Sequence, residues 1–202
     1  MQDDENINGF LDLADKRVNI PNEGSGSRVL YENIMNEYNL STENFFSKVY
    51  EKNISELENL FCTDKIDAAI FYVGHPNQAY QNVIENCPVK FVSFSEREIK
   101  KYLRFPEYYS AITMPANVYD NQNEEIKTFG SQLVLSISYD VPDEVVYDFT
   151  KVFFTHFDEV IKLSPILSQQ SPMNIFNIGG VAPIHKGATK YYHEQIIMSL
   201  PY

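Results

Sequence analysis

The stretch Asp-Ala-Ala-Ile-Phe-Tyr-Val-Gly-His-Pro at residues 67–76 decides the fold class of this chain. Its first seven residues form a nearly continuous apolar run of strand length. Such a run is typical of a central strand in a parallel sheet that helices cover on both faces. The Gly-His-Pro sequence ends the strand, and Pro76 fits the first turn of the next helix. The apolar residues of that helix recur with helical spacing at Tyr80, Val83 and Ile84.

Strands and helices also alternate on either side of this stretch. Before it, the sequence predicts a strand at 17–20, a Gly/Ser loop at 21–27, a helix through Leu30, Ile34 and Tyr38, and a second helix at 54–61. After it, we expect a strand at 88–94, a helix from the capping box Ser95/Glu98 to before Pro106, a strand at 111–114, an extended segment at 127–139, a long helix carrying Val146 to Val160, a connection at 164–180 and a last helix at 188–200. This alternation favours an α/β fold.

Composition narrows the class of function. The chain has 202 residues, with 16 Lys and Arg against 28 Asp and Glu. The resulting net charge of −12 repels a phosphate backbone, which excludes nucleic-acid binding as the main function. No run approaches the ~20 apolar residues that span a bilayer. Residues 1–8 lack the basic start and apolar core of a secretory signal, so either the protein is cytoplasmic or an export signal has been removed.

Two cysteines, Cys62 and Cys87, leave two interpretations open. They form one disulfide if the protein is exported, or they stay as two buried thiols in a reducing compartment. One follows the helix before residue 67 and the other ends the helix after the strand, so both fit the same edge of the sheet. A bond requires Cα atoms within about 7 Å of each other.

The loop Gly24-Ser25-Gly26-Ser27 is the first candidate site. Free backbone N–H groups and the dipole at a helix N-terminus attract a carboxylate or phosphate, and serine hydroxyls add donors. The loop lacks the Gly-Lys-Ser/Thr ending of a Walker A motif, and Val29 stands where a dinucleotide fingerprint has its third glycine. Two interpretations stay open, an anion site and plain capping of the helix by a serine.

The loop Gly74-His75-Pro76 is the second candidate site. It follows the carboxyl end of the best parallel strand, where open α/β sheets place their ligands. The alternative is a turn in which His75 caps or packs without contacting a ligand.

Motifs for catalysis and metal binding are absent from the sequence. There is no G-x-S-x-G elbow, no H-E-x-x-H and no Cys/His cluster, so we expect no enzyme activity, catalytic residue, cofactor or metal site. Asp143 and Glu144 near a helix start fit the helix dipole. His156 in the long apolar helix is predicted to be semi-buried, and His185 and His193 do not have metal-ligand spacing.

Several stretches together resemble the TAXI family, the extracytoplasmic solute-binding receptors of tripartite ATP-independent periplasmic (TRAP) transporters. The resemblance covers nearly all of the chain after Leu11. It rests on residues 12–19, Gly24-Ser25-Gly26-Ser27-Arg28, residues 67–76, the Ile-Thr-Met-Pro-Ala-Asn-Val-Tyr turn at 112–119, and residues 142–147 and 183–192. In the turn, Asn117 replaces the family's glycine, which leaves the left-handed conformation of the turn possible but less easy.

The resemblance implies a fold like that of type II periplasmic binding proteins, with a central mixed sheet flanked by helices and two lobes that close on a ligand. It implies a periplasmic receptor that captures a small organic anion, such as glutamate or a dicarboxylate, for the membrane subunits of a TRAP transporter. Together with the two loops, it indicates these ligand-binding residues: Ser25, Gly26, Ser27, Gly74, His75, Pro76 and Tyr119.

The resemblance also divides the chain. Residues 1–10 are a polar N-terminal segment, residues 11–127 the ligand-binding lobe, and residues 128–202 a hinge strand and C-terminal helices that belong to the first lobe. Nothing corresponds to the family's N-terminal part, so we expect weak solute binding and association with a second copy or a first-lobe fragment. The expected contacts are Phe149, Phe153, Phe157, Tyr191 and Ile196.

Two other functions stay open. One is an α/β enzyme that acts on a small carboxylate through His75. The other is a truncated antigenic or interaction protein that binds no solute.

Overall fold

The computed structural model describes residues 7–103, 109–131, 133–167, 170–172, 175 and 182–199. The chain forms two compact units, Met1–Ser131 (unit 1) and Gln132–Tyr202 (unit 2). Within the described ranges, no helix has the length and apolar character needed to cross a membrane.

Unit 1 consists of short strands connected by helices. Its strands are β1 (Arg17–Asn19), β2 (Lys48–Tyr50), β3 (Ala68–Ala69), β4 (Ser110–Met114) and β5 (Ile126–Gly130). Its α-helices are α1 (Gly26–Glu37), α2 (Thr42–Phe45), α3 (Leu57–Cys62), α4 (Gln78–Asn86) and α5 (Glu96–Tyr102), with 3₁₀ turns at Phe10–Leu13 and Ile54–Glu56. The predicted strand at 17–20 and the helices at 54–61 and from Ser95 are therefore confirmed. Pro106, the expected limit of α5, lies outside the described residues.

The parallel sheet has the strand order β2-β1-β3, and helices flank it. Val18 of the central strand pairs with Val49 on one side and with Ala68 on the other. Strands β4 and β5 form a separate antiparallel pair. Among the described residues, parallel and antiparallel strands thus lie in two sheets, and the expectation of one central mixed sheet was wrong.

The apolar stretch at 67–73 is shorter as a strand than the sequence predicts. Only Ala68 and Ala69 belong to β3. The last hydrogen bond to the neighbouring strand β1 runs from the Ile70 N–H to the Asn19 carbonyl oxygen, at 2.9 Å. Because β1 ends at Asn19, residues 71–73 have no further β1 residue to pair with. The predicted strand at 88–94 is likewise reduced to a single bridge residue, Val89.

Both faces of this stretch are nevertheless covered, as the sequence predicts. Ala68, Ile70 and Tyr72 pack against one apolar core, whereas Ala69 and Phe71 pack against the other. Alternate side chains of an extended chain point to opposite faces, so each core covers one face of the sheet. The first core contains Val18, Ile20, Leu30, Tyr31, Ile34 and Met35, and the second contains Leu57, Leu60, Phe61, Ile66, Val83 and Cys87.

A disulfide joins the two helices that cover the second face. Cys62 ends α3, Cys87 follows α4, and the two are bonded with a Cα–Cα distance of 5.1 Å. Of the two interpretations of the cysteines, the single disulfide is therefore correct.

The start of β1 is held by an ion-pair network. The guanidinium of Arg17 contacts the carboxylates of Asp67 at 2.6 Å and Asp64 at 2.8 Å, and the Arg17 N–H donates to Asp67 Oδ2 at 2.7 Å. The hydrogen bonds from Arg17 lower the pKa of the Asp67 carboxyl below its ordinary value. A carboxyl with a depressed pKa stabilises the folded state most when it is ionised.

We predict that Asp67→Asn makes the free energy of unfolding depend less on pH in the acidic range. The stabilisation from Asp67 is present above the ordinary aspartate pKa of about 4 and disappears as pH falls through the lower folded-state pKa. The variant should lose about 1 kcal/mol at pH 7, because the pair is only partly buried, and should converge with the wild type at low pH. Urea unfolding of the wild type and Asp67→Asn across this pH range measures the effect. Free energies of unfolding that change in parallel with pH in the two proteins would contradict the prediction.

Unit 2 contains helices α6 (Asp143–Thr155), α7 (Phe157–Leu163) and α8 (Lys186–Ser199), with a 3₁₀ turn at Pro165–Leu167. The predicted long helix is thus two helices that meet at His156, whose φ of −106° and ψ of 25° end α6. The imidazole lies at the surface, 54% exposed and 3.3 Å from Glu159, so the expectation of a semi-buried His156 was wrong. The last helix is confirmed, and most of the connection at 164–180 lies outside the described residues.

The extended segment predicted at 127–139 is also interrupted. Strand β5 ends at Gly130, because its partner β4 begins at Ser110, which lies opposite Gly130. Residues 133–137 belong to no strand, and Leu133 and Leu135 are strongly exposed.

Helices α6 and α8 approach closely at Gly187 in the first turn of α8. A Cβ atom there would overlap the carbonyl oxygen of Asp143 and lie 2.9 Å from the Tyr147 nitrogen. The tight crossing therefore requires glycine.

Two of the residues expected to mediate association, Phe157 and Tyr191, are buried in unit 2, which corrects that expectation. Phe149 is half-exposed. The Ile196 side chain lies outside the part of α8 whose side chains are described.

Candidate functional site

Both candidate loops lie at the carboxyl ends of neighbouring parallel strands in unit 1. The Gly/Ser loop follows β1, and the Gly-His-Pro loop follows β3. Parallel strands carry their ligands at this edge in open α/β sheets. The buried side chain of Asn19 joins this edge to the segment that follows β2. Its amide nitrogen donates to the Lys52 carbonyl oxygen at 3.2 Å, and its amide oxygen accepts from the Lys52 N–H at 2.9 Å. The sequence does not identify Asn19, because nothing in its pattern distinguishes this residue from other polar residues in strands.

Ser25 is the N-cap of α1. Its Oγ accepts from the Arg28 N–H at 3.0 Å and donates to the Asn22 carbonyl oxygen at 2.7 Å. The capping interpretation is therefore confirmed for Ser25. The backbone N–H groups of Gly26 and Ser27 donate to no acceptor among the described residues, so two donors stay available at the helix N-terminus.

The hydroxyl of Ser27 is engaged inside the protein. It donates to the Tyr72 carbonyl oxygen at 2.9 Å and so joins α1 to the segment that follows β3. Tyr72 also reaches the end of β5, since its hydroxyl donates to the Ser131 Oγ and accepts from the Ser131 N–H at 2.8 Å. In this arrangement the backbone N–H groups, rather than the serine hydroxyls, are the donors that a ligand can use at the loop.

The guanidinium of Arg28, in the first turn of α1, is already paired with carboxylates. The guanidinium of Arg28 contacts Glu32 and Glu51, each at 2.9 Å, and donates to the Pro21 carbonyl oxygen at 3.0 Å. The helix dipole and free N–H groups are then the means by which this loop attracts an anion.

The Gly-His-Pro loop places its three residues differently. Gly74 is exposed, His75 and Pro76 are half-buried, and the peptide bond between His75 and Pro76 is cis. Helix α4 begins at Gln78, and the side chain of Asn77 caps it by accepting from the Ala79 N–H at 3.0 Å. Pro76 precedes the cap, so the expectation that it lies in the first helical turn was wrong.

The structure brings His75 and Tyr119 together. The Nδ1 atom of His75 lies 2.7 Å from the Tyr119 hydroxyl, which also accepts from the Asn77 N–H at 2.8 Å. Tyr80 stacks on the imidazole, and Phe91 meets it edge-on. Burial among these rings lowers the pKa of His75 and raises the pKa of Tyr119 to about 12. Both groups are therefore neutral at pH 7.

A turn holds Tyr119 in place. Asn117 adopts a φ of 63°, the left-handed conformation that the sequence leaves possible there, and its N–H donates to the Gln122 carbonyl oxygen at 2.8 Å. The buried Gln122 side chain binds the turn from inside: it accepts from the Val118 N–H at 3.0 Å and donates to the Pro115 carbonyl oxygen at 2.8 Å. No sequence signal identifies Gln122, because its partners are backbone groups.

A small cavity of about 60 Å³ lies beside Ser27 and Tyr72. Ligand pockets usually measure about 300–1,000 Å³, so the cavity by itself is too small for one. Its lining is mostly apolar: Ser27, Leu30, Tyr31, Ile34, Ile70, Phe71, Tyr72, Phe94, Thr128 and Phe129.

Unit 2 has a larger cavity of about 300 Å³, away from the sequence-predicted residues. It is lined by charged side chains of α6 and α8, namely Asp143, Glu144, Asp148, Lys186 and Lys190, together with Tyr147 and Gly187. In the described part of the chain, no group of three or more His, Cys, Asp or Glu side chains is arranged to hold a metal ion.

Comparison with protein families gives a match that extends across both units. Residues 1–195 match the family model described as the NMT1-like family.

Proposed function

Because the chain belongs to the NMT1-like family, a family of the periplasmic solute-binding type, we propose that it is the solute receptor of a TRAP transporter. Its solute is a small organic anion, either glutamate-like or a dicarboxylate, and its partners are the membrane subunits of the transporter. Proteins of this type act outside the cytoplasm. The Cys62–Cys87 disulfide supports that location, because disulfides persist in oxidising compartments.

The observation that carries the proposal is the unoccupied pair of donors at the N-terminus of α1. The N–H groups of Gly26 and Ser27 have no acceptor among the described residues, and they follow the carboxyl end of a parallel strand, where open α/β sheets carry their ligands. A carboxylate satisfies both donors and interacts favourably with the helix dipole. The ligand-binding residues of the proposal remain those of the two loops: Ser25, Gly26, Ser27, Gly74, His75 and Pro76, with Tyr119 acting through His75.

In this proposal, residues 11–127 form the ligand-binding lobe, and residues 128–202 supply the connection and the helices of the other lobe. The compact units divide slightly later, at Ser131, so β5 lies within unit 1. A receptor of this design returns its ligand unchanged.

Thermal denaturation with candidate solutes tests the proposed function. A ligand that binds only the folded state stabilises it by about 2.7 kcal/mol at 100 times its dissociation constant. L-glutamate and succinate should raise the melting temperature, whereas the uncharged succinamide should not. Chemical analysis of the solute after incubation separates a receptor from an enzyme. Conversion of the solute would favour a carboxylate-handling enzyme, and no stabilisation by any organic anion would leave the interaction-protein alternative.

Gly26→Val is expected to weaken solute binding while the protein stays folded. A Cβ at Gly26 meets no atom within 4 Å, so the side chain extends into open space where it obstructs a ligand. Loss of one charge-assisted hydrogen bond, about 1.5–3 kcal/mol, corresponds to roughly a tenfold to hundredfold loss of affinity. Calorimetric titration with L-glutamate measures the effect. Equal affinity in Gly26→Val and the wild type would show that the loop only caps the helix.

A further inference from the structure

The ring of His75 is held on three sides by aromatic side chains. Tyr80 stacks on it with ring centroids 5.6 Å apart, and Phe91 and Tyr119 meet it edge-on at 6.0 and 5.7 Å. Among the described residues, no acidic side chain contacts the imidazole, and burial alone lowers its pKa. This setting fixes the plane of the ring and favours its neutral form.

The hydrogen bonds of Tyr119 favour one position for the proton of that neutral ring. The Asn77 N–H can only donate, so the Tyr119 oxygen accepts from it at 2.8 Å. The hydroxyl hydrogen of Tyr119 is then directed to the Nδ1 atom of His75, at 2.7 Å. In this arrangement Nδ1 accepts and Nε2 carries the hydrogen, and every group has a partner of the right kind. The opposite tautomer needs the second lone pair of the Tyr119 oxygen and leaves its hydroxyl hydrogen without the His75 acceptor.

A protonated His75 does not fit this arrangement. An N–H on Nδ1 would point at the Tyr119 oxygen, which already accepts from Asn77, and the hydroxyl hydrogen would lose its acceptor. Only the direction from Asn77 through Tyr119 to His75 gives both hydrogens of this chain an acceptor within it.

The Nε2–H group itself has no partner among the described residues. Nor is Nε2 fully buried, so solvent reaches it. A donor in this position, on the loop that follows β3, can contact a solute at the ligand-binding edge of the sheet.

We infer that Tyr119 is a positioning residue that holds His75 as the Nε2–H tautomer, so that His75 donates a hydrogen bond to a carboxylate or carbonyl oxygen of the solute. The inference rests on the proposed function. It specifies a neutral hydrogen bond rather than an ion pair, and a solute that presents an oxygen acceptor at this point.

Nitrogen NMR of the full chain labelled with ¹⁵N-histidine tests the positioning role without a solute. The wild type should show His75 with its proton on Nε2. Tyr119→Phe should show a mixture of tautomers, because the hydroxyl that occupies Nδ1 is gone. Tyr80→Phe is the matched control: it removes a hydroxyl that makes no contact with the His75 nitrogens and should keep the wild-type tautomer. A wild-type ring protonated on Nδ1, or an unchanged tautomer in Tyr119→Phe, would overturn the positioning role.

Titration with L-glutamate and succinate tests the donor role. Tyr119→Phe should bind the better solute about tenfold more weakly, and His75→Ala at least as weakly. His75→Gln, whose amide nitrogen can replace Nε2, should recover part of the affinity, whereas His75→Asn should not. Wild-type affinity in His75→Ala would overturn the donor role. If the wild type binds neither solute, the proposed function and the donor role both fail, while the NMR result still decides the tautomer.

Discussion

Gly187→Ala is expected to lower the free energy of unfolding of the helix pair in unit 2 by about 3 kcal/mol. The added methyl group would overlap the Asp143 carbonyl oxygen and approach the Tyr147 nitrogen, and backbone atoms of the first turn of α6 cannot rotate away as a side chain can. The two helices must separate, which exposes the buried Val146 and Tyr191.

Hydrogen exchange followed by mass spectrometry tests this prediction, because it reports the stability of each helix separately. Peptides that cover α6 and α8 should lose protection in Gly187→Ala, while peptides from unit 1 should not change. Gly26→Ala is the control, because it places the same substitution in the first turn of another helix with no atom within 4 Å. It should stay within about 0.5 kcal/mol of the wild type. Equal protection of α8 in both variants would show that the helices are not packed as described.

The double variant Cys62→Ala/Cys87→Ala is expected to lose about 3 kcal/mol of stability in unit 1. The bond closes a loop with a sequence separation of 25 residues, and removing it increases the conformational entropy of the unfolded chain. It also joins α3 and α4, the helices that cover one face of the sheet.

Urea unfolding with and without a thiol reductant measures this second effect. The reductant should shift the wild-type midpoint towards that of the double variant and leave the variant unchanged. The unshifted variant controls for other effects of the reductant. A wild-type midpoint that the reductant does not move, under conditions where alkylation shows both thiols free, would contradict a stabilising role for the bond.

Features that depend on neighbouring residues in the sequence could be predicted. The capping box at Ser95 needs only a serine and a glutamate three positions apart, and the structure contains it. The two-sided burial of the stretch at 67–73 likewise follows from local residue types, and the left-handed φ of Asn117 is one that asparagine tolerates. These are the features that local backbone preference and hydrophobic pattern control.

Features that depend on distant partners could not be predicted. The strand lengths are set by where β1 ends and where β4 begins, and the break at His156 interrupts an apolar pattern that continues through it. The family resemblance put His75 and Tyr119 in one set of ligand-binding residues, but their direct hydrogen bond spans 44 positions and left no local signal. Propensity and periodicity do not report which side chains meet across such distances.

The exposed segment at residues 133–137 has a consequence for the colloidal behaviour of the protein. Its five residues, Leu-Val-Leu-Ser-Ile, carry no charge and no proline, and their backbone groups form no strand. Uncharged, β-prone and unpaired segments promote contact between chains, and electrostatic repulsion opposes that contact. The net charge of −12 supplies the repulsion at neutral pH, so solubility depends on ionised carboxylates outside the segment itself.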